Sequence, residues 1–461
     1  MAIDLIVRGG TVVTATGRRL ADVAVAGGRI VAVEPQLPES ADTLEVDASG
    51  ILVLPGAVDV HTHTRVATDV MPDRFFQDSV AAAFGGTTTF LAFNNPGTGS
   101  QQTGALPTDI FAWRRQTDSD SAVDYGLSLV LQPTHTDLAR EIPAAVDLGV
   151  PTFKAFMVYD FALPAELMAA AFRETGRGRG MLMVHGEDRA ALEANIARLH
   201  AEGKTALRYH PESRPPYVEA DGTRMAISMA RAADALVYLV HLSSQAALAE
   251  VLAGRAIGGR VFAETCPHFL VLDDSRYELP AAECARFIIA PPLRSPADRD
   301  ALWAGLADGS LDIVSTDHVP DRLADKHGWD ESFDRVSNGA PGIETLLTLV
   351  YGEGVARGRI SVERMVDLTS TAPARLFGLP TKGAIEPGRD ADIVLFDPQE
   401  RRTITSAELH HSSDFTPYEG LATSGLVRST LVRGEFVVRD GHFVGRRGFG
   451  QFVERAPGPG D

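Results

Sequence analysis

The sequence predicts an α/β protein: a (β/α)8 barrel inserted into a smaller β-sandwich that is built from both chain ends. Three observations carry this. Between Pro55 and about Gly378, apolar runs alternate with helical stretches, which is βα repetition. Short β segments broken by Gly, Pro and Asp occupy both ends of the chain. Several apolar runs in the middle end in His, Lys or Asp, where a catalytic barrel carries its chemistry.

Length agrees, since 461 residues suit a barrel of roughly 250 residues or more with a smaller unit added. Expected boundaries are 1–54 for the first part of the sandwich, 55–378 for the barrel, and 379–461 for the second part with a C-terminal tail. The apolar and charged fractions, 44% and 23%, are those of a globular chain and exclude a disordered or fibrous reading. A formal charge of -18 argues against nucleic acid or an anionic membrane as the main partner, because both want clustered Lys and Arg. Two cysteines, Cys266 and Cys284, are too few for a disulfide framework. MAIDLIVRGG lacks the features of a signal peptide, and no stretch is apolar for long enough to span a membrane, so a cytoplasmic location is expected.

In order, DLIVRGGTVVT, DVAVAGGRIVAVEP and DTLEVDAS read as short strands. The run ILVLPGAVDVHTH, from Ile51 to His63, is apolar on both faces, as a buried parallel strand must be, and ends in two histidines. Alternation puts His61 and His63 on one face, able to close on one ion. Further strand ends fall near Phe93, Leu131, Phe156, His185, His241, Thr265 and Asp317, which with His63 makes eight. PAELMAAAFRETG and SQAALAEVLAG have helical periodicity. DADIVLFDP and VRSTLVRGEFVVRDGHFVG resume the β pattern, and QFVERAPGPGD reads as a loose tail.

Five of the eight ends carry potential ligands: His61 with His63, Lys154, His185, His241 and Asp317. One barrel rim would bring them together, and three or more imidazoles with a carboxylate form a zinc ligand set. Lys154 lies in the apolar strand PTFKAFM, where an ammonium is costly to desolvate. A lysine held neutral there can react with carbon dioxide to a carbamate that bridges two metals. Asp317 could also cap a helix, and both roles could hold at once. His200, His210, His327, His410, His411 and His442 read as surface groups, His268 and His318 as groups that orient ligands, and His135 is unexplained.

The ordered set DVHTH, FKAFM, MVHGE, VHLSS, ETCPHF, PPLR and STDHVP resembles the cyclic amidohydrolases: dihydropyrimidinases, hydantoinases, allantoinases and dihydroorotases. The resemblance runs from the first β segment through DFTPYEG to GHFVGRRGFGQFV. It implies two divalent cations, zinc by preference, bridged by N6-carboxylated Lys154. One would sit on His61, His63, Lys154 and Asp317, the other on Lys154, His185 and His241. It further implies Asp317 as proton shuttle, Tyr159 as oxyanion donor, and ring contacts from the backbone at Ala290 and Asn338. A homotetramer or dimer acting on a small cyclic ureide or amide follows from the same likeness.

Within that family the positions conflict. Tyr159, NGAPGIE and DFTPYEG look like hydantoinase or dihydropyrimidinase, whereas Arg65 and Asn95 match the carboxylate-binding residues of dihydroorotases. Ala290 stands where hydantoinases usually carry serine, and DHVPD lacks the histidine that dihydroorotases often have beyond the aspartate. The expectation is a hydantoinase or dihydropyrimidinase yielding an N-carbamoyl amino acid. Dihydroorotase-like or allantoinase-like activity is the alternative, and a non-catalytic scaffold is a third reading that filled ligand positions disfavour.

Overall fold

The computed structural model describes residues 2–38, 43–94 and 104–458, apart from the side chain of Arg179. The chain opens with β1 (Leu5–Thr14), β2 (Gly17–Ala26), β3 (Arg29–Glu34), β4 (Leu44–Asp47) and β5 (Leu52–Pro55). The barrel strands follow: β6 (Ala57–Thr62), β7 (Thr87–Phe93), β8 (Asp124–Val130), β9 (Thr152–Phe156), β10 (Met181–His185), β11 (Val237–Leu239), β12 (Val261–Thr265) and β13 (Ile313–Val314). All eight lie near the predicted ends and pair in chain order, parallel throughout. The expected helices are present at Ala165–Glu174 and Gln245–Ala256, the second capped by Ser244, whose Oγ accepts from Ala247 N at 3.2 Å.

The chain ends meet in one hydrogen-bonded sheet. β14 (Ile393–Thr403) runs antiparallel to β5, and β15 (Ala422–Val432), β16 (Glu435–Arg439) and β17 (His442–Phe443) extend it, in the order β17-β16-β15-β14-β5-β1-β2-β3 with β4 beside β1. Its apolar residues, Val7, Val23, Val53, Ile393 and Leu431 among them, form a core of their own.

The run from Ile51 to His63, read as one strand, is two. Leu52–Pro55 belongs to the terminal sheet and Ala57–Thr62 to the barrel, with Gly56 between them. A Cβ at Gly56 would lie 2.0 Å from Thr88 Oγ1, so only glycine lets the chain pass from one sheet to the other here. For residues 451–455 the expectation of a loose C-terminal tail also fails. Tyr125 N donates to Gln451 O (3.0 Å), Val453 N to Tyr125 O (2.8 Å) and Arg455 N to Gly149 O (2.9 Å). Buried backbone needs such partners, and the tail finds them at the N-terminal ends of β8 and β9, with Phe452 against Trp113 and Tyr125.

Because β13 has only two residues, the ring closes without a full ladder. Thr62 forms a parallel bridge with His318, and His63 N donates to His318 O at 2.7 Å. Asp59 adds a side-chain clasp, accepting from Thr316 N (3.1 Å) and Thr316 Oγ1 (2.5 Å). Closure is therefore made by residues adjoining the functional rim.

Candidate metal centre and ring pocket

Each ligand candidate is delivered by the C-terminal end of a barrel strand. His61 lies in β6, His63 one residue past it, Lys154 in β9 and His185 at the end of β10. His241 lies beyond β11, where Tyr238 and Val240 pack with Met181 and Met183 while Val237 and Leu239 face the other cluster. Strict alternation would send His241 outward. Its φ of 43° reverses that and turns the ring in. Asp317 has a φ of 48° and Tyr159 one of 76°. Left-handed backbone costs a non-glycine residue about 1 kcal/mol or more, so the rim holds strain at three of the candidate positions. No helix begins at Asp317, so the capping role does not apply.

The six residues converge. Asp317 Oδ1 lies 3.0 Å from both His61 Nε2 and His63 Nε2, and Lys154 Nζ lies 3.5 Å from His61 Nε2. His185 Nδ1 and His241 Nε2 are 2.9 Å apart, and the His61 and His241 rings 5.4 Å. Ligand atoms of His61, His241 and Asp317 all fall within 4.8 Å of one another. Burial pushes the Asp317 carboxyl up, but His61 and His63 outweigh it and hold the group well below the ordinary range. Burial lowers Lys154 to about 8, and its Nζ sits 5.1 Å from the Phe93 and Phe156 ring centres. His185 and His241 are likewise pushed down by burial, so both rings favour the neutral form that ligates.

Carboxylates behind the rings decide which nitrogens face inward. Glu264 accepts from the Nδ1–H of His61 and so turns Nε2 toward the centre. Its other oxygen accepts from Tyr238 (2.7 Å) and Ser315. Glu187 accepts from His185 Nε2 at 2.6 Å, which leaves Nδ1 facing inward. Burial raises Glu187, yet Arg214 and His185 bring it down to about 2. Sequence reasoning missed Glu264, Glu187, Arg214 and Asp321. The rule applied to Lys154, a charge inside an apolar strand, would have found Glu264 in VFAET.

A cavity of about 260 Å³ opens over the cluster, lined by His63, Arg65, Tyr159, Ala290, Asp317 and Asn338 among others. Tyr159, Arg65, Ala290 and Asn338 all line this cavity. Arg65 is not free: its Nη2 lies 2.7 Å from Asp321 Oδ1. Asn95 lies outside the described residues. Burial raises the Tyr159 hydroxyl to about 12, so it remains an O–H donor, and the Arg214 guanidinium lies 5.6 Å from its ring.

The remaining histidines split. His210, expected at the surface, is buried and donates to Ile289 O at 2.8 Å, because it opens a short helix packed on the barrel mouth. His411 is buried as well, beside His318. His135 is a loop group, its Nδ1 accepting from Gln132 N at 2.9 Å. His318 Nδ1 accepts from Gly342 N at 3.1 Å and so ties NGAPGIE to the rim.

Comparison with known proteins gives one consistent result. The family described as "Amidohydrolase family" matches residues 52–437. D-phenylhydantoinases of Escherichia coli O1:K1 / APEC and of Escherichia coli O127:H6 (strain E2348/69 / EPEC) are each 37% identical over 462 residues, covering 98% of both chains. Among solved structures, dihydropyrimidinase from Brevibacillus agri NCHU1002 superposes with a TM-score of 0.93 at 36% identity, covering 99% of each chain. D-hydantoinase from Bacillus sp. AR9 gives 0.92 at 36% identity, covering 99% of this chain and 100% of that one. L-hydantoinase from Arthrobacter aurescens gives 0.90 at 27%, covering 98% and 100%.

Proposed function

The chain belongs to the amidohydrolase family, and on that footing we propose that it hydrolyses the cyclic amide bond of a hydantoin- or dihydropyrimidine-type ring to an N-carbamoyl amino acid. The observation that carries this is the convergence of four imidazoles, Asp317 and Lys154 beneath a small cavity. The relatives named as hydantoinases and dihydropyrimidinases support the choice of ring.

The donor set fits divalent cations. Glu264 and Glu187 take the outer nitrogens of His61 and His185, so lone pairs remain inside, and buried His241 Nδ1 has no hydrogen-bond partner. Our reading is two zinc ions, held by His61, His63 and Asp317 on one side and His185 and His241 on the other, with N6-carboxylated Lys154 between. The depressed basicity of Lys154 supports the carboxylation, because only a neutral amine adds to carbon dioxide. Cations bound there would polarise water and the ring carbonyl.

The chain's own groups then handle charge and protons. Asp317, ionised at neutral pH, accepts a proton from the attacking water and returns it to the leaving ring nitrogen. Tyr159 donates its hydroxyl proton in a hydrogen bond to the oxygen that becomes negative as the carbonyl carbon turns tetrahedral. Backbone groups at Asn338 and Ala290 hold the ring amide against the cavity wall.

One observation favours a ring with an acidic substituent: Arg65 lines the cavity, and its buried Nε lacks a hydrogen-bond partner. A carboxylate on the guanidinium is worth about 1.5–3 kcal/mol, so Arg65→Ala is expected to cost acid-bearing rings about 10–100-fold in kcat/KM relative to neutral ones. Equal losses would remove Arg65 from recognition. Asn95 shares this assignment and its test.

We further propose units at 1–54, 55–378 and 379–461, a cytoplasmic location supported by two buried, unpaired cysteines, and a homotetramer or dimer that light scattering would reveal. The deciding experiment assays hydantoin, 5-substituted hydantoins, dihydrouracil, dihydroorotate and allantoin, with metal analysis of the same sample. Turnover of hydantoins or dihydrouracil with about two divalent ions per chain is expected. Preference for dihydroorotate or allantoin would overturn the ring assignment, and no metal with no turnover would leave the scaffold reading.

A further inference from the structure

Lys326 is a buried lysine that the proposed reaction does not use. Its Nζ donates to Ile288 O at 3.1 Å and to Ser337 O at 2.9 Å. Those carbonyls belong to two stretches that help wall the cavity, one leading into Ala290, the other running through Ser337, Asn338 and Gly339. Gly339 N also donates to Ile288 O, at 3.0 Å, so the stretches touch by one backbone bond and by this side chain. Ser337 Oγ donates to Asp321 Oδ2 at 3.0 Å, and the other oxygen of Asp321 holds Arg65.

The DFTPYEG segment, with Ser413 just before it, supports the same place. Asp414 Oδ1 accepts from Leu323 N at 2.8 Å, Ser413 Oγ donates to Asp321 O at 2.6 Å, and the Phe415 ring lies 5.9 Å from Lys326 Nζ. Together these fix the turn Leu323–Asp325, whose next residue is Lys326. A motif without chemistry of its own thus aims one amine at two pocket carbonyls.

Resting on the reading of the cavity as the ring pocket, we propose that Lys326 is a positioning residue: it pins the Ile288 and Ser337 stretches together and so sets the spacing of the backbone that grips the ring at Ala290 and Asn338. Burial brings the Lys326 amine down to about 7, and a neutral amine has two N–H donors, one for each carbonyl. Without it, the buried Ile288 carbonyl and the half-buried Ser337 carbonyl each lose a donor and the wall loosens, while the metal ligands, borne by other elements, stay in place.

The test uses Lys326→Met, which keeps volume and removes the donors, and Lys326→Ala, which leaves room for an added amine. On whichever ring the unaltered chain opens, Lys326→Met is expected to raise KM about tenfold, with kcat within about threefold and metal content unchanged. Amide exchange at Gly339 should quicken in both variants, and n-propylamine should slow it again in Lys326→Ala. Unchanged KM with unchanged Gly339 exchange would overturn the proposal, as would a fall in kcat accompanied by metal loss. If the unaltered chain opens no ring, the functional reading falls, and exchange with amine rescue, measured without substrate, still decides for or against the pin.

Discussion

The two ends of the barrel solve opposite problems. At the C-terminal rim, Tyr159, His241 and Asp317 hold left-handed backbone, and buried polar atoms of Arg65, Glu187, His241 and Asn338 lack hydrogen-bond partners. At the N-terminal floor, Lys382 lies 2.6 Å from Asp124, 2.8 Å from Asp392 and 3.1 Å from Asp390, all buried, with Arg433 joining Asp124. The strap from Gln451 to Arg455 completes that end through backbone pairing, although Arg455 Nε and Nη1 remain without partners. Left-handed backbone is not confined to the rim, since Arg433 has a φ of 47° at the floor. What sets the rim apart is that its three left-handed residues all line one cavity, whereas the floor joins its charges in a buried cluster.

The comparison is broken most directly at Lys154. Lys154→Ala is expected to abolish ring opening and metal retention together, with a short-chain carboxylate partly restoring both, while the melting temperature falls little. Full activity in that variant would overturn the proposed bridging role. Next in size is Asp317→Asn, which keeps the shape and tolerates φ > 0 but accepts no proton. Turnover should fall roughly 10²–10⁴-fold with stability unchanged or raised. A rim variant that unfolds the chain instead would show that the rim is structural.

The floor should answer in the other currency. Lys382→Met leaves three buried aspartates short of a cation, and breaking such a cluster costs about 3–5 kcal/mol. Chemical denaturation should register that loss, with kcat/KM per folded molecule within about twofold of the original. A change in kcat/KM beyond that, at equal folded fraction, would couple floor to rim and blur the division.

What the sequence disclosed follows the same division. Strands apolar on both faces were legible because burial on both sides leaves no alternation to misread, and Lys154 was legible because a charge inside such a strand needs a reason. Glu264 carries the same local mark in VFAET, but its role is set by His61, 203 residues away, which the strand itself does not name. The C-terminal strap looked loose because Pro and Gly crowd the residues just after it, yet its partners are backbone groups at Tyr125 and Gly149, near strand starts that only the folded barrel presents. His210 and His411 looked like surface groups in polar contexts, and tertiary packing buried them. Lys326 was hidden for a similar reason. The stretch from His318 to Asn338 holds little regular structure, so no period predicts which side chain turns inward.

Lys326 also supplies the smallest and most specific test, because its effect appears as a dependence on pH. The folded amine titrates near 7 and the unfolded one near the ordinary 10.5. Below pH 7 both states carry the proton, and folding bears the full cost of burying an ammonium. Between pH 7 and 10.5 the unfolded chain holds a proton that the folded chain has released, so unfolding takes up a proton and stability rises with pH, by at most about 1.4 kcal/mol per unit. Lys382 behaves oppositely: its aspartates outweigh burial and hold it above the usual lysine range, so its contribution is complete below 10.5 and is lost only at higher pH. Denaturation midpoints measured from pH 7 to 9 should therefore climb more steeply for the unaltered chain than for Lys326→Met, and as steeply for Lys382→Met as for the unaltered chain. Equal slopes in all three would mean that Lys326 keeps its proton in the folded state, and that its hold on the two carbonyls is the grip of a charge.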